Sequence, residues 1–511
     1  MKKNKLVLLG LDGADWKILD PLIKEGHLPN LKHIVENGSH ARLRSTTPPI
    51  TPVAWTSIFT GVNPGKHGIF DFFYFENGIK KFVNTEDVLV PYLWELLEKE
   101  KIIAFNIPYI YPIRKSDNAI IVSGFGTPSK SSDFSYPTTI KKEILEMDPD
   151  YETSVNLGAF LVGEIIKDKD EVYIESLKHL EDKKHMATYL IENKEWEIAI
   201  IVFSSPDWVQ HLFISEFYKA KQKSLTLVGN IYRSIDEFLG YLIKKNYNIM
   251  IVSDHGFLEK KKEVFVNSYL LHSGLLKLKK PPIFKRAFRT FGISREFIKN
   301  TWPFSTVSEL LLSINPRLFL RLGFKTLPSD KLHIDDIDNE SSAYLVSRQG
   351  WIAISKNMDI EIVKRVVLDY KDENDKPFFK KLLLKEQLYL GTAVERCQPL
   401  FLVPFNDVLM NEKIQEPSYK YINPLNERSG YHDEFGIFIS YGPDLLKKDK
   451  LADLSVFDIT PTVISYFDYA IPSYMDGKKI DIFESSNTKN TKNAIIKASI
   501  KRLIKKKGLK I

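Results

Sequence analysis

Three apolar runs in this chain each stop at a carboxylate. Residues 6–11 lead into Asp12-Gly13, 198–203 into Ser204-Ser205-Pro206-Asp207 with His211 four residues on, and 249–253 into Asp254-His255-Gly256. Carboxylate oxygen and imidazole nitrogen together are the donor set of borderline divalent cations such as Zn2+, which take few ligands in compact shells. The spacing Asp207-x-x-x-His211 puts both side chains on one face of a helix that starts there, and Asp254-His255 can aim at neighbouring positions from a turn. A lone Asp in such a place is ordinarily a helix cap or a turn residue. Three of them, two with a histidine, ask for a shared purpose, and two metal shells need one histidine more. His27, His33, His40, His179, His185, His272 and His333 lie in helical or loop surroundings without an acidic pattern and read as surface or packing residues. His432, in the polar loop Ser429-Gly430-Tyr431-His432-Asp433 just before a strand, is the candidate for the last ligand.

A nucleophile belongs near such a centre. The segment 46–61 reads as an extended approach, with Thr51 as N-cap, Pro52 as first helical residue and Gly61 as the stop. As a plain cap, Thr51 needs no further role. The same geometry also presents a hydroxyl, free N–H groups and the positive end of the helix dipole to wherever an anionic phosphoryl group would sit, and a coordinated metal lowers the pKa of such a hydroxyl.

The elements that must carry these residues follow from periodicity. Runs 5–11, 101–105, 119–122, 197–203 and 247–253 are apolar without alternation, as strands buried on both faces are. Between them 16–25, 28–38, 91–99, 170–192 and 223–245 read as helices able to cover a sheet. Alternation of this kind means an α/β core, and in open α/β sheets ligands bind outside the carboxyl ends of the strands. After residue 257 the rhythm breaks, then a strand at 436–440 and a helix at 455–467 return. The expected organisation is a discontinuous core, 1–272 with 420–485, an insertion at 273–419, and a tail at 486–511.

The 511 residues, 43% hydrophobic and 27% charged, suit folded domains rather than wholesale disorder. A single cysteine, Cys397, excludes an intramolecular disulfide and a thiolate-built zinc cluster and fits a reducing compartment. No signal-like apolar segment follows the basic start, and no run of about 18 apolar residues occurs, so the expectation is a cytoplasmic protein. The net charge of +7 becomes −2 once the nine cations of 487–511 are set aside. A second basic stretch, 275–331, carries twelve Lys and Arg mixed with aromatic residues. In the tail, Ile496, Ile500, Leu503 and Ile504 recur at helical spacing opposite lysines, the pattern of a helix lying on an anionic membrane surface. Nucleic acid is the weaker partner, since no binding module accompanies the charge.

Taken in order, Asp12, the block 51–61 followed by Asn63-Pro64-Gly65-Lys66-His67-Gly68, Asp207-x-x-x-His211, Ser253-Asp254-His255-Gly256 and Gly430-x-His432 resemble the alkaline phosphatase superfamily. Its type I phosphodiesterase and nucleotide pyrophosphatase branch is the most similar, helped by Leu28-Pro29-Asn30-Leu31, Asp458-Ile459-Thr460-Pro461-Thr462 and Met475-Asp476-Gly477. The resemblance covers the core and hardly touches 275–331 or the tail. It implies a three-layer α/β/α sandwich with a smaller inserted α+β region, and two divalent ions per chain, Zn2+ first and Mn2+ as alternative. One ion goes to Asp207, His211 and His432, the other to Asp12, Asp254 and His255. Thr51 between them is the implied nucleophile, in contact with the metals, attacking a phosphate-ester small molecule in line and passing through a phospho-threonine. One departure touches specificity. An Asn that donates to phosphate oxygen in nucleotide pyrophosphatases is missing after His67-Gly68-Ile69, where Phe70-Asp71-Phe72 stands, so backbone N–H groups of the helix start would take part of its role. A sulfatase is disfavoured because Cys397 sits far from the metal motifs. A phosphate-transferring mutase on the same core, and a non-enzymatic anion- or membrane-binding scaffold, are the alternatives.

Overall fold

The computed structural model describes residues 3–76, 79–155, 169–279, 337–338, 340–425 and 427–483. They form two compact units. The first gathers the described parts of Met1–Lys261, Glu386–Cys397 and Ile422–Ile511, and the second is made of Lys262–Lys385 and Gln398–Tyr421. The basic stretch 275–331, apart from 275–279, and the tail 487–511 with its proposed surface helix lie outside the described residues, as does His333.

The first unit is built on a ten-stranded mixed sheet. Leu6–Leu11 is central, with all six residues buried. It pairs in parallel with Ile198–Phe203 on one side and Asn248–Val252 on the other. Ile102–Ile107 and Ala119–Ser123 continue the parallel part. Phe435–Tyr441 then runs antiparallel to both Asn248–Val252 and Ser39–Arg44. Strict in-register pairing, Leu11 opposite Phe203 and Gly10 opposite Val252, brings the carboxyl ends of the three central strands out at one edge. That edge is where the chain continues into Asp12, Asp207 and Asp254.

Alternate side chains of the central strand serve two helical layers, because successive residues of a strand point to opposite faces. Val7, Leu9 and Leu11 pack with Leu19, Leu31, Leu190, Leu212 and Leu239, drawn from helices Trp16–Lys24, Pro29–Asn37, Lys169–Asn193, Ser205–Lys219 and Leu227–Lys244. Leu6 and Leu8 pack with Ile58, Leu93 and Ile464 from Thr51–Thr60, Leu93–Leu96 and Ile459–Tyr466. This is the three-layer α/β/α arrangement. Each fully buried aliphatic side chain contributes roughly 1.5–3 kcal/mol, so the sandwich has a source of stability that needs no bound ion.

Local expectations shift in three places. Helix 91–99 shrinks to Leu93–Leu96: Glu95 turns back to the Tyr92 N–H at 2.8 Å, and the chain leaves helical geometry at Leu97 to feed the next strand. Helix 223–245 divides at Thr226, whose hydroxyl caps Leu227–Lys244 by accepting from the Gly229 N–H. Ser39–Arg44 is an additional strand, with Ser39, Ala41 and Leu43 buried and the residues between them more exposed.

The second unit is α+β. Ala343–Leu345, Trp351–Ile354, Leu400–Pro404 and Phe379–Leu384 form an antiparallel sheet, and Val408–Asn411, Lys262–Phe265 and Tyr419–Tyr421 form a smaller one. Helix Ile360–Leu368 buries Val363 and Val367 in a core with Ile352, Leu400 and Leu402. Among the described residues no helix is long and apolar enough to cross a membrane.

Candidate active site

Asp12 follows the central strand directly. Its N–H is bonded to the Phe203 carbonyl at 3.0 Å, and its Oδ2 accepts from Trp55 Nε1 at 3.2 Å. Asp207 lies in the first turn of helix Ser205–Lys219 and His211 one turn on, which sets His211 Nε2 3.3 Å from Asp207 Oδ1. Asp254 and His255 occupy the short link between Asn248–Val252 and Gly256–Glu259. The link is held by Gly13 N–H on Asp254 Oδ1 at 3.2 Å and by Phe257 N–H on Asp15 Oδ2 at 3.0 Å. His432 arrives on strand Gly430–Asp433, antiparallel to Gly256–Glu259. Its ring stacks on that of His255 with centroids 3.6 Å apart.

The histidines are oriented alike. Nδ1 of His211 lies 2.6 Å from the Gly430 carbonyl, Nδ1 of His432 2.9 Å from that of Pro49, and Nδ1 of His255 3.1 Å from that of Gly256. A carbonyl only accepts, so each Nδ1 carries a proton and each ring turns its Nε2 inward, where an unprotonated Nε2 presents its lone pair. Those lone pairs meet carboxylates: His432 Nε2 is 3.1 Å from Asp207 Oδ1 and 3.2 Å from His211 Nε2. His255 Nε2 is 3.2 Å from Asp254 Oδ2 and 3.5 Å from Asp12 Oδ1.

Acceptors thus converge on acceptors. Oδ1 of Asp12, Oδ1 of Asp207, Oδ2 of Asp254 and Nε2 of His255 are buried and receive no hydrogen bond. A cation satisfies such a set, and burial of several kcal/mol of unpaired polar groups is otherwise unexplained. Electrostatics agree. Burial, reinforced by the charges of Asp254 and Asp207, pushes Asp12 well above the usual carboxylate range, and burial with the Asp207 charge does the same to Asp254. Burial raises Asp207 too, but its two histidine partners more than offset it. Burial lowers His211 to about 4 and holds His255 well below its ordinary value, which keeps both rings in the ligating form.

Ligand atoms within 4.8 Å of one another form two trios: Asp207, His211 and His432, and Asp12, Asp207 and His255. Asp207 stands in both. Asp254 borders the second trio through its contact with His255.

Thr51 departs from its expected place by one residue. Ile50, extended at φ −131° and ψ 148°, is the cap, Thr51 is the first helical residue and Pro52 the second. The Ile50 carbonyl takes the N–H groups of Val53 and Ala54, at 3.1 and 2.9 Å, and Pro52 has none. The helix start therefore offers the Thr51 N–H alone, fewer donors than the sequence suggests. Along the helix Thr56 and Thr60 bond back to the Pro52 and Thr56 carbonyls, each at 2.6 Å, and Ser57 pairs with His67 Nε2 at 2.9 Å. The buried Thr51 hydroxyl enters no hydrogen bond among the described residues. Its segment is fastened to both trios, by Pro49 to His432 and by Trp55, one turn along on the same face, to Asp12.

Two participants escaped the sequence reading. Trp55 could have been noticed from its i+4 spacing to Thr51. Arg428, whose Nη2 donates to His211 Nε2 at 2.7 Å, gave no signal beyond its nearness to Gly430. His179, read as a packing residue, is buried with its ring edge-on to Trp208 at 4.8 Å.

Gly430 is required by close approach. A Cβ there would stand 2.2 Å from the Gln210 carbonyl oxygen and 2.7 Å from the Phe257 ring. Gly430→Ala is expected to push the strand of His432 off helix Ser205–Lys219, destabilising the protein by about 1–3 kcal/mol and lowering its uptake of any divalent metal that the trios would hold. Thermal melting and elemental analysis of the variant check both effects, and unchanged values in each would refute this role.

The family model for type I phosphodiesterase / nucleotide pyrophosphatase matches residues 6–303, a span that holds Asp12, Thr51, Asp207, His211, Asp254 and His255. No curated protein sequence matches the chain. Among solved structures it is similar to phosphonoacetate hydrolase from Sinorhizobium meliloti 1021 in complex with phosphonoformate, at 17% identity over 89% of this chain and 94% of that one, with a TM-score of 0.54. It is also similar to human ectonucleotide pyrophosphatase / phosphodiesterase 5, at 14% identity over 93% and 97%, with a TM-score of 0.51. At these identities the likeness speaks for the fold.

Proposed function

Because this chain belongs to the type I phosphodiesterase / nucleotide pyrophosphatase family, whose members are phosphodiester and pyrophosphate hydrolases, we propose that it cleaves such a bond in two displacements at Thr51. The observation that carries this reading is the meeting of three imidazoles and three carboxylates, among which Asp12 Oδ1, Asp207 Oδ1, Asp254 Oδ2 and His255 Nε2 are buried without a hydrogen bond, beside a threonine segment tied to both groups. Two divalent cations suit that donor set, zinc first by its preference for nitrogen and carboxylate oxygen. Asp207, His211 and His432 would hold one, and Asp12 and His255, with Asp207 and Asp254 beside them, the other. When bound, such ions neutralise phosphoryl charge and make a nearby hydroxyl easier to ionise.

The chain's own residues do the remainder. Trp55 and the Pro49 carbonyl hold the start of helix Thr51–Thr60 against Asp12 and His432, so Thr51 Oγ1 meets phosphorus without a search. Its bond to phosphorus forms as the bond to the leaving oxygen breaks. Water then releases the phosphoryl group and restores the hydroxyl. The Thr51 N–H, the donor left at the helix start, faces the developing charge.

A panel of phosphomonoester, phosphodiester and pyrophosphate substrates, assayed with zinc or manganese and after chelation, tests the reading. Diester or pyrophosphate cleavage should disappear on chelation, return with metal, and need no sugar-phosphate acceptor. Purified protein that binds no metal, or turnover indifferent to chelation, would sink the two-cation proposal.

A further inference from the structure

We infer that Phe257 is a positioning residue shared by both cation sites: its ring is the support against which all three imidazoles are set. The inference rests on the reading above, and it starts from what holds a histidine still. A hydrogen bond at Nδ1 fixes one end of an imidazole and leaves the ring free to tilt about that bond. A packed face removes the remaining freedom. Phe257 is fully buried, and its ring centroid lies 4.9 Å from that of His211, 5.7 Å from that of His432 and 6.4 Å from that of His255. His432 stacks in turn on His255, so the longest of these contacts is backed by a close one. One ring therefore braces members of both trios.

The ring is itself held fast. Its backbone N–H donates to Asp15 Oδ2 at 3.0 Å, which ties it to the segment that begins at Asp12. Glycines flank two opposite corners of the ring: a Cβ at Gly13 would stand 3.1 Å from Cδ2, and one at Gly430 2.7 Å from Cε1. Gly13 follows Asp12, and Gly430 opens the strand of His432. Segments that bring ligands from far apart in the chain thus close on this one side chain. Tilted and edge-on contacts between aromatic rings have preferred geometries, whereas a flexible apolar chain of like volume fills the space and fixes no angle. Groups standing behind metal ligands set affinity through such orientation, and their loss commonly costs ten- to a hundredfold.

The test compares wild type, Phe257→Leu and Phe257→Met with Phe134→Leu, a control in the same core whose buried ring stacks on Tyr151. Zinc affinity at each site is measured by calorimetry, ligand geometry by the visible absorption of the cobalt(II)-loaded protein, and stability by thermal melting. Zinc binding weakened about ten- to a hundredfold at both sites in the Phe257 variants, with altered cobalt absorption, supports the inference, provided that Phe134→Leu melts lower yet binds zinc as wild type does. Unchanged zinc affinity and cobalt absorption in a folded Phe257 variant overturn it. So does a loss confined to one site, or an equal loss in Phe134→Leu, which would make the effect one of general stability. Should Phe257→Leu not fold, Phe257→Met decides by the same criteria, and failure of both to fold makes Phe257 a plain core residue and overturns the inference too. A wild-type chain that binds no zinc fails the functional reading itself and takes this inference with it.

Discussion

Thr51→Ala should lower turnover by three orders of magnitude or more while zinc content stays at the wild-type value. The metal shells need only Asp and His side chains, and removal of an attacking group commonly costs on the order of 4 kcal/mol of transition-state stabilisation. Thr51→Ser keeps the oxygen and should keep part of the rate. The neighbouring hydroxyls make sharp controls because each has another occupation. Thr56 and Thr60 are bonded to carbonyls of their own helix and Ser57 to His67, so their removal should cost about 1–3 kcal/mol of stability at most and leave turnover largely intact. Mass spectrometry of acid-quenched wild-type protein with substrate should find the phosphoryl group on Thr51. Near-normal turnover by Thr51→Ala with metal bound would remove the threonine from the mechanism.

What a linear reading can see of this site is set by what the sheet fixes. Apolar runs without alternation announce buried parallel strands, and parallel strands in register must release Asp12, Asp207 and Asp254 at a common edge. His432 was reachable by elimination, since a polar loop before a strand leads to the same edge. Finer facts depend on through-space partners. Which nitrogen of each imidazole faces inward is decided by the carbonyls of Gly430, Pro49 and Gly256, groups that every residue carries and no composition reveals. Thr51 was placed one position early because a proline is equally at home at the first or second position of a helix, and the arbiter is the Ile50 carbonyl. Ser39–Arg44 was overlooked for a similar reason. Its alternating Ser, Ala and Leu become a strand pattern only beside Phe435–Tyr441, nearly 400 residues later in the chain.

The sharing of Asp207 between the two trios separates two variants that the assignment of one metal to three ligands would treat alike. His432→Ala removes a ligand from one trio only, so at saturating zinc the chain should keep about one ion. Asp207→Asn takes charge from both and should reduce bound zinc below one ion per chain, with turnover lost to the same degree as in Thr51→Ala. Stability separates the variants as well. In metal-free protein Asp207 raises the pKa of Asp12 and Asp254 by its charge, after the larger effect of burial, while its own carboxyl, despite burial, is held well below the ordinary range by His211 and His432. Neutralising it relieves the repulsion among carboxylates but loses the histidine contacts, two effects of opposite sign in the metal-free protein. The gain in melting temperature that zinc gives wild type should largely vanish in Asp207→Asn, because only a ligand bound to the folded state stabilises it. Zinc titration with thermal melting of both variants measures each quantity. One ion retained by Asp207→Asn, with a full zinc-induced shift, would show that Asp207 serves a single metal and that Asp254 completes the other shell.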